Sequence, residues 1–304
     1  MVFDNLTNLN MCRLLGYLGA NIQLDGLLYK PEHSLVVQSY QPKEMTSGVV
    51  NADGLGIGWY HTERDVDPFT YKSTLPIWNE TNLPELSRYV ESPCVLAYVR
   101  SATPGQALDL NNCQPFRDNR ILFIHNGFID NFRKTMYRSL REKLSDRVYQ
   151  SIHGTTDSEH IFALLVNELQ AFPENKLDTM SESSQRRDEN FSSPQLPTPD
   201  SRLPIFNLEQ ALHTTLTTLT ELAKVHQISF SANTIVSDGH HLVASRYAHG
   251  TVAPTLYWLR DDPSYPDSVI IASEPIFPGN WNKCPHRSIL SVGENLEVNI
   301  YQFL

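Results

Sequence analysis

The chain has 304 residues, of which 40% are hydrophobic and 19% are charged, a balance typical of a globular protein rather than a disordered or fibrous one. No run approaches the roughly 20 apolar residues that a membrane span needs, and the first ten residues, MVFDNLTNLN, lack the basic start and apolar run of a signal peptide, so we expect a cytoplasmic protein. The 34 acidic residues outnumber the 24 basic ones and give a net charge of -10, so we expect neither nucleic acid nor a membrane as a partner.

In the first half of the chain, apolar runs bounded by turn residues predict four buried strands, at residues 13–18, 55–60, 95–99 and 121–124. A charged helix is expected within residues 131–144. Thr156 and Glu159 have the spacing of a capping box ahead of a helical pattern of apolar residues, which predicts a helix from this point.

Residues 173–204 form a polar, proline-rich segment, which predicts a mobile surface insertion that is either a lid or a passive loop. Beyond it, Asn207 and Gln210 precede a second helical pattern. Apolar runs then predict strands at residues 228–236, 241–247, 255–259, 269–272 and 296–302, with Asp238 and Gly239 as a turn. Strands and helices in separate blocks predict an α+β fold with antiparallel sheets, and we expect one domain over residues 12–304.

The four cysteines, Cys12, Cys94, Cys113 and Cys284, lack the spacing of zinc ligands and are expected to be free thiols. Cys12 opens the first predicted strand, and MCRLLGYLG resembles a natural protein start, so residues 1–11 are expected to be missing from the mature chain. Cys12 would then carry an α-amine with a pKa of about 8, close to that of its thiol, and the amine could serve as its base. The alternative is a buried core cysteine.

Two segments contain candidate ligand-binding residues. NADGLGIGWY places three glycines, Gly54, Gly56 and Gly58, near the start of a strand, where backbone or a ligand can come close. In YVRSATPG, Arg100 ends an apolar strand, and its guanidinium either forms an internal ion pair or binds a carboxylate ligand. Thr103 could supply a hydroxyl or backbone N–H to the same carboxylate.

Two further segments contain candidate catalytic and substrate-binding residues. In FIHNGFIDNF, the pair Asn126 and Gly127 is either a turn or an oxyanion hole, and His125 is interpreted as a packed or orienting residue. In GTTDSEHIF, Asp157 either starts a helix or binds an ammonium group. Together, Arg100 and Asp157 could hold an α-amino acid by its carboxylate and its amine.

In their order along the chain, MCRLLGYLG, NADGLGIGWY, VRSATPG, HNGFIDNF, TTDSEHI and IIASEP resemble the amidotransferase domain of class II glutamine amidotransferases, which are N-terminal-nucleophile hydrolases. The resemblance implies Cys12 as the nucleophile, Asn126 with Gly127 as the oxyanion hole, and Arg100 and Asp157 as ligands of a γ-glutamyl group. It also implies a four-layer αββα sandwich of two antiparallel sheets, an enzyme that hydrolyses linear amides, and a reaction that needs no metal or organic cofactor.

Within the family, glucosamine-type members usually carry Trp and then Thr-His after the arginine, whereas this chain has Ser101 and Thr103-Pro104, so the resemblance does not extend to their ammonia-channel contacts. The motifs look most like those of the stand-alone amidohydrolases of ergothioneine biosynthesis, which remove glutamate from γ-glutamyl-hercynylcysteine S-oxide. A glutaminase subunit that feeds ammonia to a separate synthase is the first alternative. A non-catalytic glutamate-binding module is the second, if Cys12 is not N-terminal.

Overall fold

The computed structural model describes residues 12–44, 50–61, 67–102, 106–172 and 204–303. The expected N-terminal extension, Thr103, and residues 173–203 of the expected insertion lie outside the described residues. Two antiparallel sheets pack face to face, one of seven strands and one of six. This arrangement confirms the predicted α+β class.

The seven-stranded sheet has β1 and β4 at its centre, and its order is β11-β9-β10-β1-β4-β2-β3. Cross-strand partners such as Arg13 and Val99 bring the start of β1 next to the end of β4. The strands are β1 (Arg13–Gln23), β2 (Leu55–Trp59), β3 (Phe69–Ser73), β4 (Glu91–Val99), β9 (Tyr257–Asp262), β10 (Tyr265–Ala272) and β11 (Asn282–Lys283).

The six-stranded sheet has the order β13-β12-β8-β7-β6-β5. Its strands are β5 (Phe116–Asp118), β6 (Ile121–Ile129), β7 (Phe230–Ser237), β8 (Leu242–His249), β12 (Ser288–Val292) and β13 (Val298–Gln302). Alternate residues of β6 face opposite sides, because Leu122 and Ile124 pack in the core between the sheets while Ile121 and Phe123 pack against helices.

Helices cover the outer face of each sheet and complete four layers, which confirms the αββα sandwich. The helices α1 (Asp25–Leu28), α2 (Leu35–Tyr40) and α3 (Leu83–Tyr89) pack on the seven-stranded sheet. The helices α4 (Tyr137–Arg141), α5 (Asp146–Gln150), α6 (Asp157–Gln170) and α7 (Ile205–His226) pack on the six-stranded sheet.

All nine strands predicted from the sequence are present, with shifted ends. The strands β3, β5, β11 and β12 are additional. The helix expected within residues 131–144 is shorter than predicted, because turns occupy residues 131–136 and the helix itself is Tyr137–Arg141.

The two expected helix starts differ in outcome. Thr156 caps α6 as predicted, with its Oγ1 accepting from the Glu159 N–H at 3.2 Å, but the Glu159 carboxylate accepts from the N–H groups of His153 and Gly154 instead of completing a capping box. Placing the second helix start at Asn207 was wrong. That helix begins two residues earlier, directly after Pro204, whose fixed φ of -57° suits this position.

All four cysteines are buried and free, as expected. Gly56 allows a close approach of backbone rather than ligand, since a Cβ there would lie 1.6 Å from the carbonyl oxygen of Gln114. Across the described residues, no helix is both long and apolar enough to cross a membrane.

Candidate active site

Cys12 lies directly before β1, at the edge of the core between the two sheets, and its residue is 8% exposed. Its Sγ accepts a hydrogen bond from the Tyr98 hydroxyl at 2.8 Å. The backbone N–H of Ser101 lies 3.4 Å from the same sulfur. The thiol is therefore held by β4 and by the residues that follow it.

Burial raises the pKa of the Cys12 thiol, and the hydrogen bonds from Tyr98 and Ser101 and the charge of Arg100 only partly offset this effect. Burial also raises the pKa of Tyr98 well above its ordinary value, so its hydroxyl remains a hydrogen-bond donor at neutral pH. A thiol in this setting is protonated at neutral pH and needs a base before it can attack.

Arg100 follows β4 and is 2% exposed. Its guanidinium donates to the carbonyl oxygens of Asp53 and Ala107, each at 3.4 Å, and to Oε1 of Gln106 at 3.1 Å. Among the residues that the structure describes, no carboxylate lies within ion-pair distance of it. A buried cation with only neutral partners is a candidate site for an anion, so the ion-pair alternative has no support here.

Asp53 of the NADG segment organises the turn that carries Ser101. Its Oδ2 accepts from the Ala102 N–H at 2.7 Å, and its own N–H donates to the carbonyl oxygen of Arg100 at 3.1 Å. The motif therefore fixes the backbone beside the Cys12 sulfur.

Asn126 lies on the face of β6 that points into the core between the sheets, the face it shares with Leu122 and Ile124. It is 1% exposed, and its Nδ2 has no hydrogen-bond partner among the described residues. Burying an amide N–H without an acceptor is unfavourable. This donor is therefore available to an oxygen bound between the sheets.

The backbone N–H of Gly127 lies on the edge of β6 that β5 does not cover. Alternate N–H groups of a strand share a direction, and those of His125 and Ile129 donate to the side chains of Gln114 and Asp157 beyond the end of β5. The Gly127 N–H thus lies between them on the same edge. Only glycine fits, since a Cβ would lie 2.0 Å from the carbonyl oxygen of Ser231.

His125 has the packed position that the sequence suggested, on the helix side of β6. Its Nε2 lies 3.2 Å from the carbonyl oxygen of Ser231, and its Nδ1 lies 2.8 Å from Oγ of Ser158. A carbonyl only accepts, so Nε2 carries the proton. Burial lowers the pKa of His125 and keeps the ring neutral.

Asp157 is the first residue of α6 and is 9% exposed. Its Oδ2 accepts from the Ile129 N–H at 2.8 Å, and its Oδ1 accepts from the Ser158 N–H at 2.9 Å. Within the described ranges no cationic side chain lies within ion-pair distance of this carboxylate. It is thus positioned by β6 and can accept further hydrogen bonds from an ammonium group.

Asn112 connects the segments that carry the two charged candidate residues, Arg100 and Asp157. Its Nδ2 donates at 3.1 Å to the carbonyl oxygen of Ala107, which also accepts from Arg100, and its Oδ1 accepts from the Thr155 N–H at 2.9 Å. Thr155 is two residues from Asp157. A continuous series of contacts therefore leads from Cys12 through the Arg100 turn to α6 and, through Asp157, to β6.

The structure thus brings Cys12, Arg100, Asn126, Gly127 and Asp157 to one end of the sandwich, while Thr103 lies outside the described residues. Sequence reasoning missed the contributions of Tyr98, Asn112 and Gln114. Alternation along β4 could have indicated Tyr98, because it shares the inward face with Leu96.

Two solved structures share this fold. The glutamine aminotransferase class-II domain protein from Silicibacter pomeroyi superposes with a TM-score of 0.62 at 22% identity, over 96% of this chain and all of that one. The glutamine phosphoribosylpyrophosphate amidotransferase from B. subtilis superposes with a TM-score of 0.58 at 14% identity, over 96% of this chain and 49% of that one. These likenesses establish the fold.

Sequence comparison gives two kinds of relative. The probable glutamine amidotransferase DUG3 of Saccharomyces cerevisiae is 28% identical over 313 residues, covering 93% of this chain and 82% of that protein. The gamma-glutamyl-hercynylcysteine sulfoxide hydrolase of Mycobacterium tuberculosis is 38% identical over 120 residues, covering 40% of this chain and 50% of that protein.

The family model for class-II glutamine amidotransferases matches residues 11–187, which is more than half of the chain and includes all the candidate residues named above. The chain therefore belongs to the class II glutamine amidotransferases and is an enzyme that hydrolyses amide bonds.

Proposed function

We propose that this enzyme cleaves a γ-glutamyl amide with the Cys12 thiol as nucleophile. The observation that carries the proposal is the unpaired, buried Nδ2 of Asn126, on the sheet face that shares a core with Cys12. Acyl transfer places negative charge on the former carbonyl oxygen, and a preorganised N–H donor stabilises it. The Gly127 N–H would be the second donor.

The γ-glutamyl group would be held at its α-amino acid end by Arg100 and Asp157. Arg100 supplies a buried cation whose partners are neutral, and Asp157 supplies a carboxylate whose partners in the part of the chain described are the backbone N–H groups of Ile129 and Ser158 and the Ser158 hydroxyl. The α-carboxylate of the ligand would pair with Arg100, and its α-ammonium group would pair with Asp157. Thr103 would add a donor to the α-carboxylate.

The α-amine of Cys12 would be the base, in a mature chain that begins at this residue. Burial raises the thiol pKa, so the thiol needs a proton acceptor at neutral pH, and an α-amine has a suitable pKa of about 8. The match to the family model, which starts at residue 11, is consistent with this N-terminus.

In this mechanism the Cys12 amine accepts the thiol proton as the sulfur attacks the γ-carbonyl carbon. The oxyanion is stabilised by Asn126 and Gly127, and the ammonium of Cys12 then protonates the leaving nitrogen as the C–N bond breaks. Water hydrolyses the resulting γ-glutamyl thioester, which releases glutamate and restores the thiol.

For the leaving amine, our proposal is the hercynylcysteine sulfoxide portion of γ-glutamyl-hercynylcysteine S-oxide. The 38% identity to the mycobacterial hydrolase supports it. The alternative is a glutaminase subunit that supplies ammonia to a separate synthase, and the match of 93% of this chain to a probable glutamine amidotransferase favours that role. A non-catalytic glutamate-binding module would result if residues 1–11 stay attached, because an amide nitrogen at Cys12 is not basic.

The test begins with the intact mass and N-terminal sequence of the natively expressed protein, followed by assays on γ-glutamyl-hercynylcysteine S-oxide and on glutamine. We expect a chain that starts at Cys12, releases glutamate and forms a γ-glutamyl adduct on that residue. The Cys12→Ala variant should be inactive, and Cys94→Ala, which alters a second buried thiol, should stay active. Glutaminase activity that rises only when a synthase is added would favour the subunit role. A retained Met1 with no turnover would overturn the proposal.

A further inference from the structure

Asn233 of β7 lies directly opposite Asn126 of β6, and the two side chains therefore share the face between the sheets. Asn233 is fully buried. Its Nδ2 donates to the carbonyl oxygens of Pro254 and Thr255, at 3.0 and 3.1 Å. Because both of these partners only accept, the orientation of the amide is fixed and Oδ1 points away from them.

The Oδ1 atom of Asn233 has no hydrogen-bond partner among the described residues. Two neighbouring strands thus carry complementary unpaired groups, a donor on Asn126 and an acceptor on Asn233. Each is unfavourable to bury alone. A ligand that offers an acceptor and a donor side by side would satisfy both.

Asn233 is connected to the nucleophile through Ser273, the residue directly after β10. Thr255, whose carbonyl oxygen accepts from Asn233, donates its hydroxyl to the carbonyl oxygen of Ser273 at 2.9 Å. Ser273 and Leu14 exchange hydrogen bonds at 3.0 and 3.1 Å, and Leu14 is two residues from Cys12. The unpaired acceptor therefore lies at the end of the sandwich that holds the thiol.

We propose that Oδ1 of Asn233 accepts a hydrogen bond from the N–H of the scissile amide, while Nδ2 of Asn126 donates to its carbonyl oxygen. This assignment rests on the proposed γ-glutamyl amidohydrolase function and adds a contact to the leaving half of the substrate. An amide carries an acceptor and a donor on adjacent atoms, as this pair of asparagines requires.

The contact gives a reason for selectivity toward amides. During cleavage, the C–N bond breaks and the nitrogen gains a proton from the Cys12 ammonium, while its original N–H stays bonded to Asn233. An ester has no hydrogen on its leaving oxygen, so the same Oδ1 would face a lone pair and gain nothing. Removing Oδ1 should therefore impair amide hydrolysis more than ester hydrolysis.

The experiment compares kcat/KM for γ-glutamyl methylamide and glutamate γ-methyl ester in the enzyme and in Asn233→Ala. We expect the amide-to-ester ratio to fall about 10- to 100-fold, as for a buried hydrogen bond to a polarised group. Asn126→Ala should lower both rates and keep the ratio, because both substrates have the carbonyl. Should Asn233→Ala fail to fold, Asn233→Ser retains a donor for Thr255 and allows the same comparison.

Thr255→Ala tests whether Asn233 only anchors the loop before β9, since this change removes the hydroxyl contact to Ser273 and leaves Oδ1 in place. An unchanged ratio in Asn233→Ala, or the same fall in Thr255→Ala, would overturn the proposed contact. If the unmodified enzyme cleaves neither substrate, the proposed function itself fails. If the unmodified enzyme cleaves both substrates and the amide-to-ester ratio is unchanged in Asn233→Ala, only the proposed contact of Asn233 fails.

Discussion

The Tyr98 hydroxyl donates a hydrogen bond to the Cys12 sulfur at 2.8 Å, across two neighbouring strands of the seven-stranded sheet. Both residues are buried, and burial disfavours the thiolate. A donor at this distance stabilises the negative sulfur more than the neutral thiol. Tyr98 therefore favours formation of the Cys12 thiolate without itself losing a proton.

Replacing Tyr98 with Phe should raise the pKa of the Cys12 thiol, because the variant lacks a donor to the thiolate. We expect alkylation of Cys12 by iodoacetamide to begin at higher pH, and kcat/KM at neutral pH to fall about 10-fold. The pH dependence of the alkylation rate, followed by mass spectrometry, measures the shift directly.

Tyr60→Phe is the matched control for this prediction. The Tyr60 hydroxyl is in the same core but donates to the carbonyl oxygens of Arg120 and Ser237. Removing this hydroxyl should lower the stability of the fold and leave the pH dependence of Cys12 alkylation unchanged. Identical profiles for Tyr98→Phe and the unmodified enzyme would mean that Tyr98 only packs against the sulfur.

Replacing Asn126 with Ala should lower kcat by a factor of about 100 to 1,000 while the fold and glutamate binding persist, because an oxyanion donor acts mainly in the transition state. Steady-state kinetics with a γ-glutamyl substrate measures the loss. Asn207→Ala is a matched control, since Asn207 is also buried with an unpaired Nδ2 in the part of the chain described, but lies in α7. Equal turnover in the two variants would contradict the oxyanion role.

Replacing Arg100 with Lys should raise KM for γ-glutamyl substrates about 10-fold or more, because lysine keeps the charge but loses the planar pair of donors for a carboxylate. Glutamate should raise the melting temperature of the unmodified enzyme and not that of the variant. Arg117→Lys, at a site where Nη1 donates to the carbonyl oxygen of Pro68, serves as the control. Unaltered KM in Arg100→Lys would argue that this guanidinium is structural.

Strands were predictable where apolar residues are dense and missed where long-range pairing decides the outcome. β7 is buried along its whole length and was expected from its composition. β12 is equally buried, yet its sequence SILSV contains two serines. This segment forms a strand because it pairs with β8 on one side and β13 on the other. Local periodicity does not contain that information.

The candidate residues were identifiable because each sits in a short motif, such as Asn126 beside Gly127, and because the motifs in their order resemble those of the class II glutamine amidotransferases. The contacts that position them are not local. Tyr98 meets Cys12 across 86 residues of sequence, and Asn112 meets Thr155 across 43. Such pairs depend on register and layer packing, which the motifs do not encode.

Behind the candidate site, Glu274 of the ASEP segment forms an ion pair with the buried Arg13. Its Oε1 lies 3.3 Å from Nε of Arg13, its Oε2 lies 2.8 Å from Nε2 of His33, and the backbone N–H groups of Lys43 and Glu44 donate to the two oxygens. Burial works against ionisation, but these hydrogen bonds and the Arg13 charge together hold the pKa of the Glu274 carboxyl below its usual range.

Replacing Glu274 with Gln should destabilise the enzyme by about 3–5 kcal/mol, because it leaves the Arg13 charge buried without a counterion. Since the folded pKa is depressed, the stabilisation by Glu274 is complete above the unfolded pKa of about 4.3 and is lost as pH falls through the folded value. Urea denaturation from about pH 7 down to about pH 3, a range that crosses the unfolded pKa of about 4.3, should therefore show a steeper acid loss in the unmodified enzyme than in the variant. Glu85→Gln, at an exposed pair with Arg88, should change the free energy of unfolding little. Equal, small effects of the two substitutions would mean that the buried pair does not hold β1 in place beside Cys12.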